Sequence, residues 1–142
     1  EITCRDWSSD VCSSDLEWEY AAMGGNKSHG YKYAGSNNIN EVAWYLNNSD
    51  GGTQFVGVAI PNELGIYDMS GNVYEWCQDL YHENYYKNSP SSNPKGPSSG
   101  EYRILRGGSW YVDNSICRTD VRNANYPNYK NSDVGLRLVI DP

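Results

Sequence analysis

The stretch Gly71-Asn72-Val73-Tyr74-Glu75-Trp76 and a second stretch, Arg106-Gly107-Gly108-Ser109-Trp110, decide the fold of this chain. Glu17-Trp18-Glu19-Tyr20-Ala21-Ala22 precedes them, and Gly135-Leu136-Arg137-Leu138-Val139 follows them. A tryptophan supplies a large apolar area together with one polar N–H that can satisfy buried loop backbone. We therefore predict that Trp18, Trp44, Trp76 and Trp110 lie in the core, with an exposed aromatic binding platform as the alternative.

A helix is predicted near the start of the chain. Ser14 and Glu17 have the spacing of a capping box, and apolar residues follow at helical spacing as far as Met23. Gly24-Gly25 then provides a stop signal.

Beyond this helix, Gly, Asn, Ser and Tyr dominate, and few segments are periodic. Residues 54–59, 101–106 and 134–140 are the best candidates for strands, and the last of them alternates with a period of two. Residues 47–52 and 89–100 have the composition of turns and loops. These patterns predict a mixed α+β domain with little regular structure.

The four stretches occur in the order and at the spacing found in formylglycine-generating enzymes, also called sulfatase-modifying factors. Residues 17–139 resemble that domain. The resemblance implies an α+β, loop-rich fold of the C-type-lectin-like kind. It also implies that the chain comes from a bacterium and lacks the N-terminal part of the domain. We accordingly assign residues 17–142 to a partial domain of this family.

The residues before Glu17 are interpreted differently. Residues 6–16 resemble one reading frame of a sequencing adapter, so residues 1–16 are predicted to be a non-native leader. On this interpretation the capping signal at Ser14 is fortuitous.

Composition excludes two classes of partner. At 142 residues the chain has room for one domain, and its apolar runs fall far short of the about 20 residues that cross a bilayer. A net charge of -7 argues against nucleic acid, since neutralising phosphates needs a basic face. We expect an unidentified protein or small ligand as partner. No sequence feature assigns a compartment, and an extracytoplasmic location in a bacterium remains open.

Arginines cluster in the last third of the chain, with aspartates among them. We interpret these planar side chains as ties between loops and carboxylates, with a phosphate-binding patch as the alternative. The five arginines are Arg103, Arg106, Arg118, Arg122 and Arg137.

Of the cysteines, Cys77 and Cys117 lie within the assigned domain, and neither has the spacing of a zinc ligand. Buried free thiols are the preferred interpretation, and a disulfide between the two is the alternative.

The family resemblance implies a calcium site in the first stretch. Carried over position by position, it gives the side chains of Asp68 and Glu75 and the carbonyl oxygens of Gly71 and Val73 as ligands. Such hard oxygen ligands are those that Ca²⁺ prefers. The alternative is that both carboxylates bond local amides or an arginine.

The resemblance also locates where a copper centre would lie. Enzymatic members hold Cu(I) with two cysteines shortly after Gly-Gly-Ser, and thiolates select that ion. Here Val112 stands at the first position, and the second falls near Asn114. Cys117 aligns better with a position that is not a ligand. Copper and oxidase activity are therefore not expected.

Residues 110–135, which we call the recognition segment, are rich in Tyr, Asn, Ser and Asp. Adaptable binding loops use tyrosine for contact area and the small polar residues for hydrogen bonds. The segment resembles the variable stretch of lectin-fold proteins diversified by retroelements; an ordinary polar surface loop is the alternative. The candidate ligand-binding residues are Tyr111, Asp113, Asn114, Tyr126, Asn128 and Tyr129.

These observations predict a sulfatase-modifying-factor domain that binds a ligand or serves as an accessory module. Two alternatives are kept: a copper-dependent oxidase that converts a sulfatase cysteine to formylglycine, and a retroelement-diversified ligand-binding protein.

Overall fold

The structure is a computed structural model that describes residues 13–89 and 96–139. No helix within these ranges has the length and apolar character needed to cross a membrane. Regular elements are short and separated by long loops. In chain order they are α1 (Asp15–Ala22), a 3-10 turn (Gly25–Lys27), α2 (Ile39–Val42), β1 (Ala43–Trp44), β2 (Ser70–Gly71), β3 (Tyr74–Leu80), α3 (Tyr85–Asn88), β4 (Arg103–Arg106), β5 (Asn123–Asn125) and β6 (Val134–Gly135).

A mixed sheet with the strand order β5-β4-β3-β6 forms the frame. β3 and β4 are antiparallel with Glu75 opposite Arg106, and β6 runs parallel to β3 with Gly135 beside Glu75. β1 and β2 form a separate parallel pair. This topology brings three of the fold-deciding stretches to one place, around the start of β3 and the end of β4.

The capping box that the leader interpretation treats as fortuitous is formed at the start of α1, so that part of the interpretation is wrong. The Glu17 amide donates to Ser14 Oγ at 3.3 Å, and the Ser14 amide donates to Glu17 Oε2 at 2.8 Å. The helix ends at Ala22, with Gly24 just beyond it at a φ of 90°, in agreement with the predicted stop. Residues 1–12 of the proposed leader lie outside the described residues, and its non-native origin stays a prediction.

Within the described residues the core consists of three apolar clusters, and the four tryptophans found there divide between core and periphery. Trp18 and Trp76 are buried, as predicted, whereas Trp44 and Trp110 are only half-buried. The buried members are Trp18, Ala22, Ala34, Met69, Cys77 and Ile104 in the first cluster; Tyr33, Ile39, Val42, Ala43, Tyr45 and Cys117 in the second; and Tyr74, Trp76 and Leu105 in the third.

The prediction of a strand at residues 54–59 is wrong. Residues 54–60 form an irregular segment, which we call the apolar loop. Its backbone bonds to side chains instead of to a neighbouring strand: the Gln54 amide donates to Asn72 Oδ1 and the Gly57 amide to Asp68 Oδ2. Phe55 is 87% exposed, so apolar character here does not signify burial.

The other two strand predictions are confirmed in part. β4 occupies the last four residues of the predicted 101–106 strand. In the 134–140 segment only Val134 and Gly135 form β6, and Leu138 is 59% exposed rather than facing a core. Residue 140 lies outside the described residues. Residues 47–52 form turns, as predicted.

Candidate functional site

Arg106, at the end of β4, anchors the turn that leads into the recognition segment. Its side chain is fully buried, and Nε donates to Asp15 Oδ1 at 2.5 Å while Nη2 donates to the Glu19 carboxylate. Nη1 donates to the carbonyl oxygens of Thr119 at 3.1 Å and Val121 at 2.8 Å. Burial alone would lower the pKa of Arg106, but the two carboxylates outweigh it and hold the pKa above its ordinary value.

Asp15 also contacts a second arginine. Arg122 Nε lies 2.7 Å from Asp15 Oδ2, and the Arg122 guanidinium lies over the Tyr81 ring at 5.5 Å. The first turn of α1 is therefore tied to two points, Arg106 before the recognition segment and Arg122 in its middle.

The Gly107-Gly108 turn places Ser109 against the last strand. Gly108 has a φ of 72°, and a Cβ there would lie 2.7 Å from Cys117 Sγ, so the position requires glycine. Ser109 Oγ donates to Asp133 Oδ2 at 3.1 Å. Asp133 is buried, and its second oxygen has no hydrogen-bond partner within the described parts of the chain.

The positions aligned with the copper cysteines hold no sulfur. Val112 packs against two of the apolar clusters, and Asn114 is exposed. Cys77 and Cys117 belong to different clusters, and both are buried free thiols, as predicted. Burial, reinforced by Asp113, raises the pKa of Cys117 to about 12, and burial raises that of Cys77 well above its ordinary value. Neither is a thiolate at neutral pH.

The residues predicted to bind a ligand are all exposed, and two of their tyrosines pack on different aromatic partners. Tyr111 is 65% exposed and makes an edge contact with Trp110 at 5.3 Å between ring centroids. Tyr126 pairs with Tyr102 beside β4 and β5, with centroids 4.6 Å apart. The remaining predicted residues are also exposed: Asp113 and Asn114, which follow Tyr111, and Asn128 and Tyr129, which follow Tyr126.

A pocket of about 290 Å³ lies near the Tyr102–Tyr126 pair and was missed by the sequence analysis. Its lining joins the end of β3, the start of β4 and the recognition segment: Tyr81, Tyr102, Arg122, Asn123 and Ala124. The lining comes from three separate parts of the chain, so no local motif marks it. The sequence analysis named Arg122 as a tie between loops and carboxylates, and Tyr126, which pairs with Tyr102, as a candidate for ligand binding.

At the candidate calcium site the two carboxylates differ. Glu75 is buried and accepts from Trp18 Nε1 at 2.7 Å and from Arg137 Nη2 at 2.7 Å. Asp68 Oδ2 accepts from the Gly57 amide at 2.7 Å, whereas its buried Oδ1 has no hydrogen-bond partner among the described residues. The contact of Asp68 with an amide and that of Glu75 with an arginine are the contacts expected if these carboxylates serve the fold instead of binding calcium.

Comparison with known proteins agrees with this architecture. Residues 5–142 match the Sulfatase-modifying factor enzyme 1-like domain family (FGE-sulfatase). The chain is 38% identical to the chaperone protein LppX of Paenibacillus barcinonensis over 87% of its length and 46% of the relative's. It is 33% identical to the formylglycine-generating enzyme of Streptomyces coelicolor, over 95% of this chain and 48% of that protein.

Among solved structures, Treponema denticola variable protein 1 superposes with a TM-score of 0.82 at 38% identity, over 92% of this chain and 47% of the other. The chain thus spans just under half the length of each of these relatives. With the family match extending over nearly all of its residues and the α+β, loop-rich frame reproduced, the chain belongs to the sulfatase-modifying factor family.

Proposed function

We propose that this domain is a binding or accessory module whose ligand contacts the recognition segment. The observation that carries the proposal is a contrast in burial along one segment. Arg106 and Ser109, at its base, have no exposed surface, whereas Tyr111 and Tyr126 are 65% and 50% exposed. Loops presented by a rigid frame are the usual place for binding residues in proteins.

The exposed side chains suit a protein surface or a small polar ligand. Tyrosine offers contact area with little loss of conformational entropy, and the asparagines and Asp113 offer hydrogen bonds. Hydrogen bonds from the Ser115 hydroxyl and amide lower the pKa of Asp113, so it presents a negative charge at neutral pH. A relative of similar structure is named a variable protein, which supports recognition as the role of this region.

The test is a triple substitution, Tyr111→Ala, Tyr126→Ala and Tyr129→Ala, with Tyr20→Ala as control because Tyr20 is 61% exposed on α1. Fluorescently labelled proteins would be applied to a glycan array. We expect the triple variant to lose its binding signals while keeping the unfolding midpoint of the wild type. Signals that survive the triple substitution would place binding elsewhere.

Copper-dependent oxidation of a sulfatase cysteine is the second candidate, favoured by the 33% identity to a formylglycine-generating enzyme. The residues oppose it, because Val112 and Asn114 have no thiolate and the Cys117 thiol is protonated at neutral pH. The enzyme hypothesis predicts one-to-one uptake of Cu(I) and aldehyde formation on a Cys-x-Pro-x-Arg peptide. We expect neither.

Diversification by a retroelement is the third candidate, supported by the similarity to a variable protein. It predicts that copies of the gene from one population differ mainly within residues 110–135. Sequencing such copies tests it, and differences spread evenly along the chain would contradict it.

We further propose that Asp68, Glu75 and the carbonyl oxygens of Gly71 and Val73 hold Ca²⁺. The fit rests on Asp68, whose buried Oδ1 lacks a hydrogen-bond partner in the part of the chain that is described. The Glu75 carboxylate accepts one hydrogen bond from Trp18 and three from Arg137, so calcium would take the place of Arg137 contacts there. When bound, calcium would cross-link the turn before β3.

Calcium that binds only the native state raises the unfolding temperature. We expect a higher midpoint in CaCl₂ than in EGTA, and no difference in Asp68→Asn. Equal midpoints for the wild type in both buffers would refute the calcium site.

A further inference from the structure

The apolar loop exposes a group of apolar side chains to solvent. Phe55 is 87% exposed, Val56 80%, Val58 63% and Ile60 55%. Single exposed apolar residues are common on protein surfaces, but a contiguous group of them marks an interaction site. Neither the recognition segment nor the candidate calcium ligands include these four residues.

The loop is held in place by hydrogen bonds at its beginning, middle and end. The Gln54 amide donates to Asn72 Oδ1 at 3.0 Å, and Asn72 Nδ2 donates back to the Gln54 carbonyl at 3.3 Å. The Gly57 amide donates to Asp68 Oδ2 at 2.7 Å, and the Ile60 amide to the Glu41 carbonyl at 2.9 Å. The apolar side chains are therefore displayed on a backbone that needs little further ordering when a partner binds.

The part of the chain that carries the loop is acidic. The sequence has no lysine or arginine between residues 33 and 86, and of the seven acidic residues in this stretch Glu41, Asp50 and Glu83 are exposed. Two of the seven bond the loop directly, Asp68 through its carboxylate and Glu41 through its backbone carbonyl. Arg137, which lies close enough to Asp68 to interact with it, is engaged by Glu75.

We propose that the apolar loop is a docking surface for a protein segment whose apolar side chains are flanked by lysine or arginine. The apolar side chains of the loop supply the contact area, and the acidic surroundings select a basic partner through charge complementarity. The same acidity opposes docking on an anionic membrane, because the negative surface potential of such a membrane attracts basic segments and repels acidic ones.

The probe is a library of random peptides displayed on beads, selected with the full chain and with two variants. Phe55→Ser combined with Val58→Ser removes much of the exposed apolar surface, and Tyr20→Ser is the matched control since Tyr20 is 61% exposed. We expect the wild type and the control to enrich peptides that carry apolar residues beside lysine or arginine. Individual enriched peptides should bind the loop variant at least about tenfold more weakly, as when a central interface anchor is removed.

Three further measurements complete the test. Raising the salt to about 1 M, where charges are screened beyond about 3 Å, should weaken binding of the enriched peptides. The triple tyrosine variant of the recognition segment should bind them as the wild type does, which separates this proposal from the proposed function. Vesicles of neutral or anionic lipid should not bind through the loop.

Enrichment of acidic peptides, equal enrichment by the loop variant, or loop-dependent binding to vesicles would each overturn the proposal. Unfolding of the loop variant is not expected, because the replaced side chains are largely exposed, and its unfolding midpoint verifies this.

Discussion

Replacement of Asp15 by asparagine should destabilise the protein strongly. The Asp15 side chain is 3% exposed and lies against two arginines, with Arg106 Nε at 2.5 Å and Arg122 Nε at 2.7 Å. Asp15 also falls within the segment that the sequence predicts to be a non-native leader. The substitution therefore asks whether this residue has become part of the folded domain.

The expected cost follows from what each arginine retains. Removing one partner of a buried ion pair costs about 3 to 5 kcal/mol, and Arg106 keeps Glu19, which places the cost near the lower end. The Arg122 side chain is 14% exposed, so solvent reaches it. Loss of its ion pair with Asp15 therefore adds no more than about 1 kcal/mol. We expect a total of about 3 to 4 kcal/mol, a large part of the 5 to 15 kcal/mol that typically stabilises a domain.

Equilibrium unfolding in urea, followed by tryptophan fluorescence, measures this difference at an unchanged m-value. Asp120→Asn is the control, because Asp120 pairs with Arg118 at 2.5 Å but both side chains are more than 40% exposed. The control should lose less than about 1 kcal/mol. A loss in Asp15→Asn no larger than that of the control would refute the assigned role of the Arg106 network.

Two other predictions concern the turns and the thiols. Gly71→Ala should lower the free energy of unfolding by about 3 kcal/mol or more, because its Cβ would lie 2.3 Å from the Trp44 carbonyl oxygen. The control Gly51→Ala has nearly the same φ but open space around the Cβ, and should lower it by about 1 to 2 kcal/mol in the same urea assay. Equal losses in the two variants would contradict the close approach at Gly71. Cys77 and Cys117 should resist iodoacetamide at pH 8 in the native protein and react in guanidinium chloride, as mass spectrometry of their peptides can verify; native labelling of Cys117 would show that its thiol is accessible and ionised.

Local signals in the sequence were sufficient where the interactions themselves are local. The start of α1 is marked by Ser14 and Glu17, which satisfy each other's backbone three residues apart, although the leader interpretation treated this signal as fortuitous. The Gly24-Gly25 stop acts at the same range. Both features depend on neighbours in the chain, so the surrounding fold has little influence on them.

The roles of the arginines were predicted, but their partners were not. The sequence pointed to aspartates interleaved with them, and Arg118 does pair with Asp120. Arg106 instead bonds Asp15 and Glu19, which precede it by 91 and 87 residues. Spacing cannot reveal a pair that only the packing of α1 against β4 brings together.

The apolar loop failed as a strand for a related reason. Its composition suits a buried strand, yet a strand also needs a neighbour with available backbone groups. The Asn72 and Asp68 side chains take that place at Gln54 and Gly57, and they come from a turn that follows 11 or more residues later. The same limit hid the pocket, whose lining is assembled from three separate parts of the chain.

The fold-deciding stretches have a physical property in common, which is that their polar atoms bond one another. Glu75 accepts from Trp18 and from Arg137, so one carboxylate joins α1, β3 and the segment that follows β6. The Arg106 side chain in β4 likewise donates to Glu19 in α1 and to the Val121 carbonyl in the recognition segment, so it joins these three parts of the chain. The exposed tyrosines of that segment take little part in this network. Substitutions there should therefore change what the domain binds before they change how it folds, whereas substitutions at the two central charges should do the reverse.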